Sequence, residues 1–102
     1  MFLIQIFLPL FDNSGKQFDR SLFIEVREHL LKSFGGITIY KRNVATGLWE
    51  DASGEVEKDA VVILEVMTND LQHQWWQTYR MELEKKFVQD EVVIRATEFE
   101  KL

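Results

Sequence analysis

Hydrophobic and polar positions follow two rhythms along this chain. Near-alternating, β-branched and aromatic runs occupy residues 2–8, 37–42, 60–67 and 91–97. They read as strands, because successive strand side chains point to opposite faces. Between the first two runs, Leu22, Phe23, Ile24, Val26, Leu30, Leu31 and Phe34 fall in one arc of a helical wheel, with Ser21, Glu25, Glu28 and Lys32 opposite. Asp19 suits the N-cap of this helix, and Gly35-Gly36 should stop it near Phe34. After the third run, Asn69 and Gln72 fit a capping box. They predict a helix of about 18 residues whose face carries Leu71, Trp75, Trp76, Tyr79, Leu83 and Phe87, with Glu82 and Lys86 at a favourable i, i+4 spacing. Pro9 and the cluster Asp12-Asn13-Ser14-Gly15 close the first strand. The long connection Asn43–Asp59 is expected to hold a small hairpin around Asp51-Ala52-Ser53-Gly54.

The resulting order, β-α-β-β-α-β, resembles the ferredoxin-like α+β sandwich. The resemblance implies one domain over residues 1–102, with a four-stranded antiparallel sheet in spatial order 4-1-3-2 and both helices on one face. One set of alternating positions is wholly apolar: Ile4, Ile6 and Leu8, Ile37 and Ile39, Val62, Leu64 and Val66, and Val92, Ile94 and Ala96. That face should lie under the helices. The opposite set mixes Leu3, Phe7, Val61, Ile63, Met67 and Val93 with Gln5, Thr38, Tyr40, Arg42, Glu65, Arg95 and Thr97. A sheet face this apolar is expected to meet something other than water.

In strand order 4-1-3-2, Arg95, Gln5 and Glu65 stand on neighbouring strands, with Tyr40 and Arg42 on the adjoining edge. They should form one row. Half-buried charges are costly alone, so Glu65 and Arg95 are expected to pair with each other or with a ligand. Two readings stay open. The row is an ion-pair network fixing the register of a dimer, or it is a site. In the second case Glu65 is the candidate acid/base and Arg95 the anion holder, while Gln5, Tyr40 and Arg42 are ligand-binding candidates. Trp49, in the long connection beside Gly47, is then a lid over the face or a plug for a partner.

Composition narrows the classes. The chain has 102 residues, 46% hydrophobic content and no cysteine. Thiolate metal sites, iron–sulfur clusters and cysteine nucleophiles are therefore excluded. The net charge of −5 comes entirely from residues 55–102, which hold eleven acidic and six basic residues; residues 1–54 hold six of each. This balance argues against nucleic acid and anionic membranes as partners. An RNA-stacking sheet is also disfavoured, since the third strand carries Glu65 and no aromatic. The first eleven residues resemble a signal peptide only in hydrophobicity, lacking a basic start and a small-residue cleavage site, so a cytoplasmic location is expected. His29 and His73 lack metal-ligand spacing and read as exposed; no metal and no cofactor is implied. No phosphate-binding glycine loop or nucleophile elbow is present.

The segments Phe34-Gly35-Gly36-Ile37-Thr38-Ile39-Tyr40-Lys41-Arg42, Gly47-Leu48-Trp49, Glu65-Val66-Met67, Trp75-Trp76, Tyr79-Arg80 and Ile94-Arg95-Ala96 resemble a pattern found in a group of small uncharacterised bacterial proteins. That resemblance implies a bacterial, cytoplasmic protein and carries no activity. The architecture also resembles dimeric α+β barrels, among them cofactor-free monooxygenases and isomerases. Two expectations follow. The first is a homodimer joined through the open sheet face, acting as a ligand-binding or interaction module. The second is a cofactor-independent enzyme acting on a small anionic or aromatic molecule on that face.

Overall fold

The computed structural model describes residues 1–42 and 60–102. Its elements run β1 (Phe2–Pro9), α1 (Arg20–Phe34), β2 (Thr38–Arg42), β3 (Val61–Thr68), α2 (His73–Lys86) and β4 (Val93–Glu98). The four strands form one sheet in the order β2-β3-β1-β4, and every pairing is antiparallel. This is the ferredoxin-like α+β topology that the pattern of the sequence implied. The central strand β1 pairs with β3 from Phe2↔Thr68 to Pro9↔Val61, and with β4 from Phe2↔Glu98 to Phe7↔Val93. Pro9 thus lies beyond the reach of β4, where its missing N–H interrupts no ladder on that side.

Local chemistry sets the element ends. The Asp12 carboxylate accepts the Ser14 N–H at 2.9 Å, the Ser14 hydroxyl at 2.7 Å and the Lys16 N–H at 2.9 Å. These bonds close the turn after β1, and Gly15 takes the positive φ of 85° that it requires. Both Asp12 and Asp19 are held below the usual carboxylate range. For Asp12 the Ser14 hydroxyl contributes most, and for Asp19 the Ser21 N–H, which its side chain accepts as the N-cap of α1. Gly35, at φ 79°, ends α1 and donates its N–H to Leu31.

α2 departs from expectation at its start. The Asn69–Gln72 capping box does not form. β3 runs on through Thr68, whose hydroxyl bonds the Asp70 carbonyl, and residues 69–70 turn the chain. The helix begins only at His73, behind Gln72, and no side chain caps it. At its other end, Val88 takes φ 50°. Its N–H reaches the Lys85 carbonyl at 3.3 Å, and that of Gln89 reaches Glu84 at 2.9 Å, so a Schellman motif closes around a valine. Lys86 bonds Glu25 of α1 at 2.8 Å rather than Glu82, which ties the two helices together at the surface.

The core lies between the helices and one sheet face. Ile4, Ile6, Leu8, Val62, Leu64, Val66 and Val92 are buried there against Val26, Leu30, Trp76, Tyr79, Leu83 and Phe87. Phe87 packs edge-on to Phe18 and tilted to Phe23, with centroids at 5.1 and 5.3 Å. Phe34 stacks on Trp76 at 5.2 Å and meets Trp75 edge-on. His29, expected on the polar side, is exposed but lies flat against Tyr79 at 4.7 Å and Trp75 at 5.7 Å. Ile39 and Ile24 are less covered than their patterns implied: Ile39 is 41% exposed, because the helical layer stops short of the β2 edge.

Candidate functional site

The strand registers place Arg95, Gln5 and Glu65 directly opposite one another on β4, β1 and β3. Gln5 sits between the two charges and joins them. Arg95 Nε donates to Gln5 Oε1 at 2.8 Å, and Gln5 Nε2 donates to Glu65 Oε2 at 2.5 Å. The Tyr40 hydroxyl donates to the same Glu65 oxygen at 2.5 Å from β2, where Tyr40 stands opposite Ile63. The expected row forms, but within it Glu65 and Arg95 do not touch; Gln5 links them. A central strand separates their backbones, and an amide, which donates at one end and accepts at the other, bridges the gap. The polarity runs one way along the row, from guanidinium to carboxylate.

Arg95 also lies over the Phe7 ring, 4.7 Å from its centroid, so the guanidinium has a second partner on the open face. Around the row the face is apolar. Leu3 and Phe7 are half-buried, Ile63 is buried outside the main core, and Met67 and Val93 are each 50% exposed. Arg42 ends β2 opposite Val61, in alternation with Tyr40 and Thr38. Trp49 and the expected hairpin lie outside the described residues.

A shallow cavity of about 260 Å³ opens at one end of this face, between Leu3, Met67, Thr38, Ile37 and Phe34. Glu65 forms part of its wall and Arg95 does not. The candidate acid/base and the candidate anion holder do not share this cavity. Elsewhere, burial, with a smaller contribution from Glu82, pushes the Tyr79 hydroxyl well above the usual phenol range, which removes it as a base near neutral pH.

Sequence reasoning located the row but missed two other cavities of about 300 Å³ each on the helical side. One lies between α2 and β4, with His73, Gln77 and Arg80 at its rim. The other lies between α1 and β2. The signal for the second was available, since Arg20 and Arg27 stand seven residues apart on α1 and so share a face. That Lys41 joins them follows only from the fold.

No family model matches the chain, and no curated protein matches it. Among solved structures, CutA1 from Pyrococcus horikoshii matches all of this chain and 86% of its own, with a TM-score of 0.56 and 17% identity. A point variant of the same protein matches over the same extents with a TM-score of 0.55. At this identity the likeness is one of fold alone: a ferredoxin-like α+β sandwich.

Proposed function

We propose that the protein is a homodimer joined through its open sheet faces, and that it serves as an interaction or ligand-binding module rather than as a catalyst. One observation carries this reading. Gln5, Glu65, Tyr40 and Arg95 are hydrogen-bonded to one another across the open face, and Leu3, Phe7, Met67 and Val93 around them are apolar. Glu65 already accepts from Gln5 and Tyr40, and Arg95 is held by Gln5 and Phe7. A second copy covering this row would leave the Glu65 carboxylate hydrogen-bonded, which lowers the usual cost of burying a carboxylate. Two-fold association is also the commonest way for a small domain to cover such a face. The enzymatic alternative needs Glu65 free to exchange a proton beside Arg95, and both side chains are otherwise engaged.

Light scattering at micromolar concentration tests the proposal. A mass of twice 12.1 kDa is expected. A mass of 12.1 kDa that persists as concentration rises would overturn it.

A further inference from the structure

We infer that the cavity between α1 and the β2 edge is an anion site for a small organic phosphate, a phosphomonoester carrying an apolar or aromatic group. The cavity holds about 300 Å³, at the lower end of the volumes that enclose small molecules. Its floor is apolar, formed by Phe23, Ile24 and Ile39. Its rim carries Arg20, Arg27 and Lys41, and among the described residues no carboxylate lines it. In a chain of net charge −5, three cations around one apolar hollow form a local field of the opposite sign.

Two of these cations are unspoken for. The side chains of Arg20 and Lys41 form no ion pair or hydrogen bond among the described residues. Arg27 donates from Nε and Nη2 to Glu28 Oε1 at 3.2 and 3.0 Å. That pair is solvent-exposed and sequence-adjacent, so an incoming dianion displaces it at little cost. Guanidinium groups match phosphate oxygens in a bidentate fashion, and a doubly charged group balances three cations better than a single carboxylate does. The cavity also explains two exposed apolar residues that the core does not use. Ile39 and Ile24 floor a hollow that the helical layer leaves open, and they would cover the ligand's apolar part. The site lies across the sheet from the proposed dimer face, so the two proposals stand or fall separately.

Calorimetric titration with phenyl phosphate, inorganic phosphate and benzyl alcohol tests the inference. Phenyl phosphate is expected to bind about tenfold more tightly than inorganic phosphate, and benzyl alcohol not measurably. Arg20→Gln and Lys41→Gln should each weaken phenyl phosphate about five- to tenfold, the scale of one lost exposed charge-assisted contact. Glu28→Gln should strengthen binding two- to threefold by releasing Arg27, whereas Lys32→Gln, which alters a cation away from the cavity, should change nothing. Circular dichroism confirms that each variant remains folded. Equal affinities for inorganic and phenyl phosphate, or equal losses in the Lys32 and Lys41 variants, would overturn the site, as would weaker binding in the Glu28 variant.

Discussion

The two faces of the sheet are made by the same strands, residue by alternate residue, yet they solve opposite problems. On the covered face the buried contributions from β1 and β3 are aliphatic: Ile4, Ile6 and Leu8 meet Val62, Leu64 and Val66 beneath two helices. On the open face the same strands place Gln5 and Glu65 side by side, and the neighbouring strands add Arg95 and Tyr40. The first face is held by packing, which tolerates no vacancy. The second is held by a directional chain of hydrogen bonds, in which one amide decides whether two charges are connected. A single-residue slip of register would exchange the two sets and ruin both faces, so their contrast is itself a specification of register.

The comparison can be broken most forcefully from the covered side. Leu64→Ala is expected to lower stability by about 2–5 kcal/mol, since Leu64 is fully buried and the cavity left behind cannot collapse. Urea denaturation measures this, and a loss below 1 kcal/mol would mean that the covered face is not the principal core. On the open side, Gln5→Leu removes the bridge and leaves Arg95 without its acceptor. The expected loss is about 1–2 kcal/mol, smaller because Arg95 still reaches water. Val93→Glu sharpens the contrast further. Val93 is half-exposed, so the folded monomer should lose no more than about 0.5 kcal/mol. In light scattering, however, the dimer should dissociate, because the new carboxylates would be buried without partners. A denaturation midpoint independent of protein concentration in both the parent and this variant would count against an interface on that face.

Much of this architecture was legible in the sequence, for reasons particular to each element. Asp19 and Gly35 flank α1 with side-chain and backbone preferences strong enough to mark its ends. The strand faces were legible because single polar residues, Gln5 in β1 and Glu65 in β3, mark the open side of otherwise apolar runs. The start of α2 was not, because Asn69 and Gln72 satisfy a capping pattern that the extension of β3 through Thr68 overrides. The polar row was legible as a set of neighbours but not as a circuit. That Gln5 mediates between Glu65 and Arg95 depends on side-chain reach across a central strand, which alternation does not encode. The cavity beside Lys41 depends on how far α1 reaches over the sheet, which follows from packing alone.

The Schellman turn that closes α2 has a consequence for tolerance to heat and mutation. At φ 50°, Val88 places a β-branched side chain in a backbone region that disfavours L-residues by roughly 1–2 kcal/mol. Val88→Gly would relieve that strain while loosening the unfolded chain, for a net gain of somewhat under 1 kcal/mol. In a domain of this size that corresponds to a melting temperature higher by about 3–5 °C, which calorimetry can read. Val88 is also exposed, so the change removes no packing. The protein therefore sits below its own attainable stability at an identifiable position, and that margin is available to offset substitutions made elsewhere to redesign its open face.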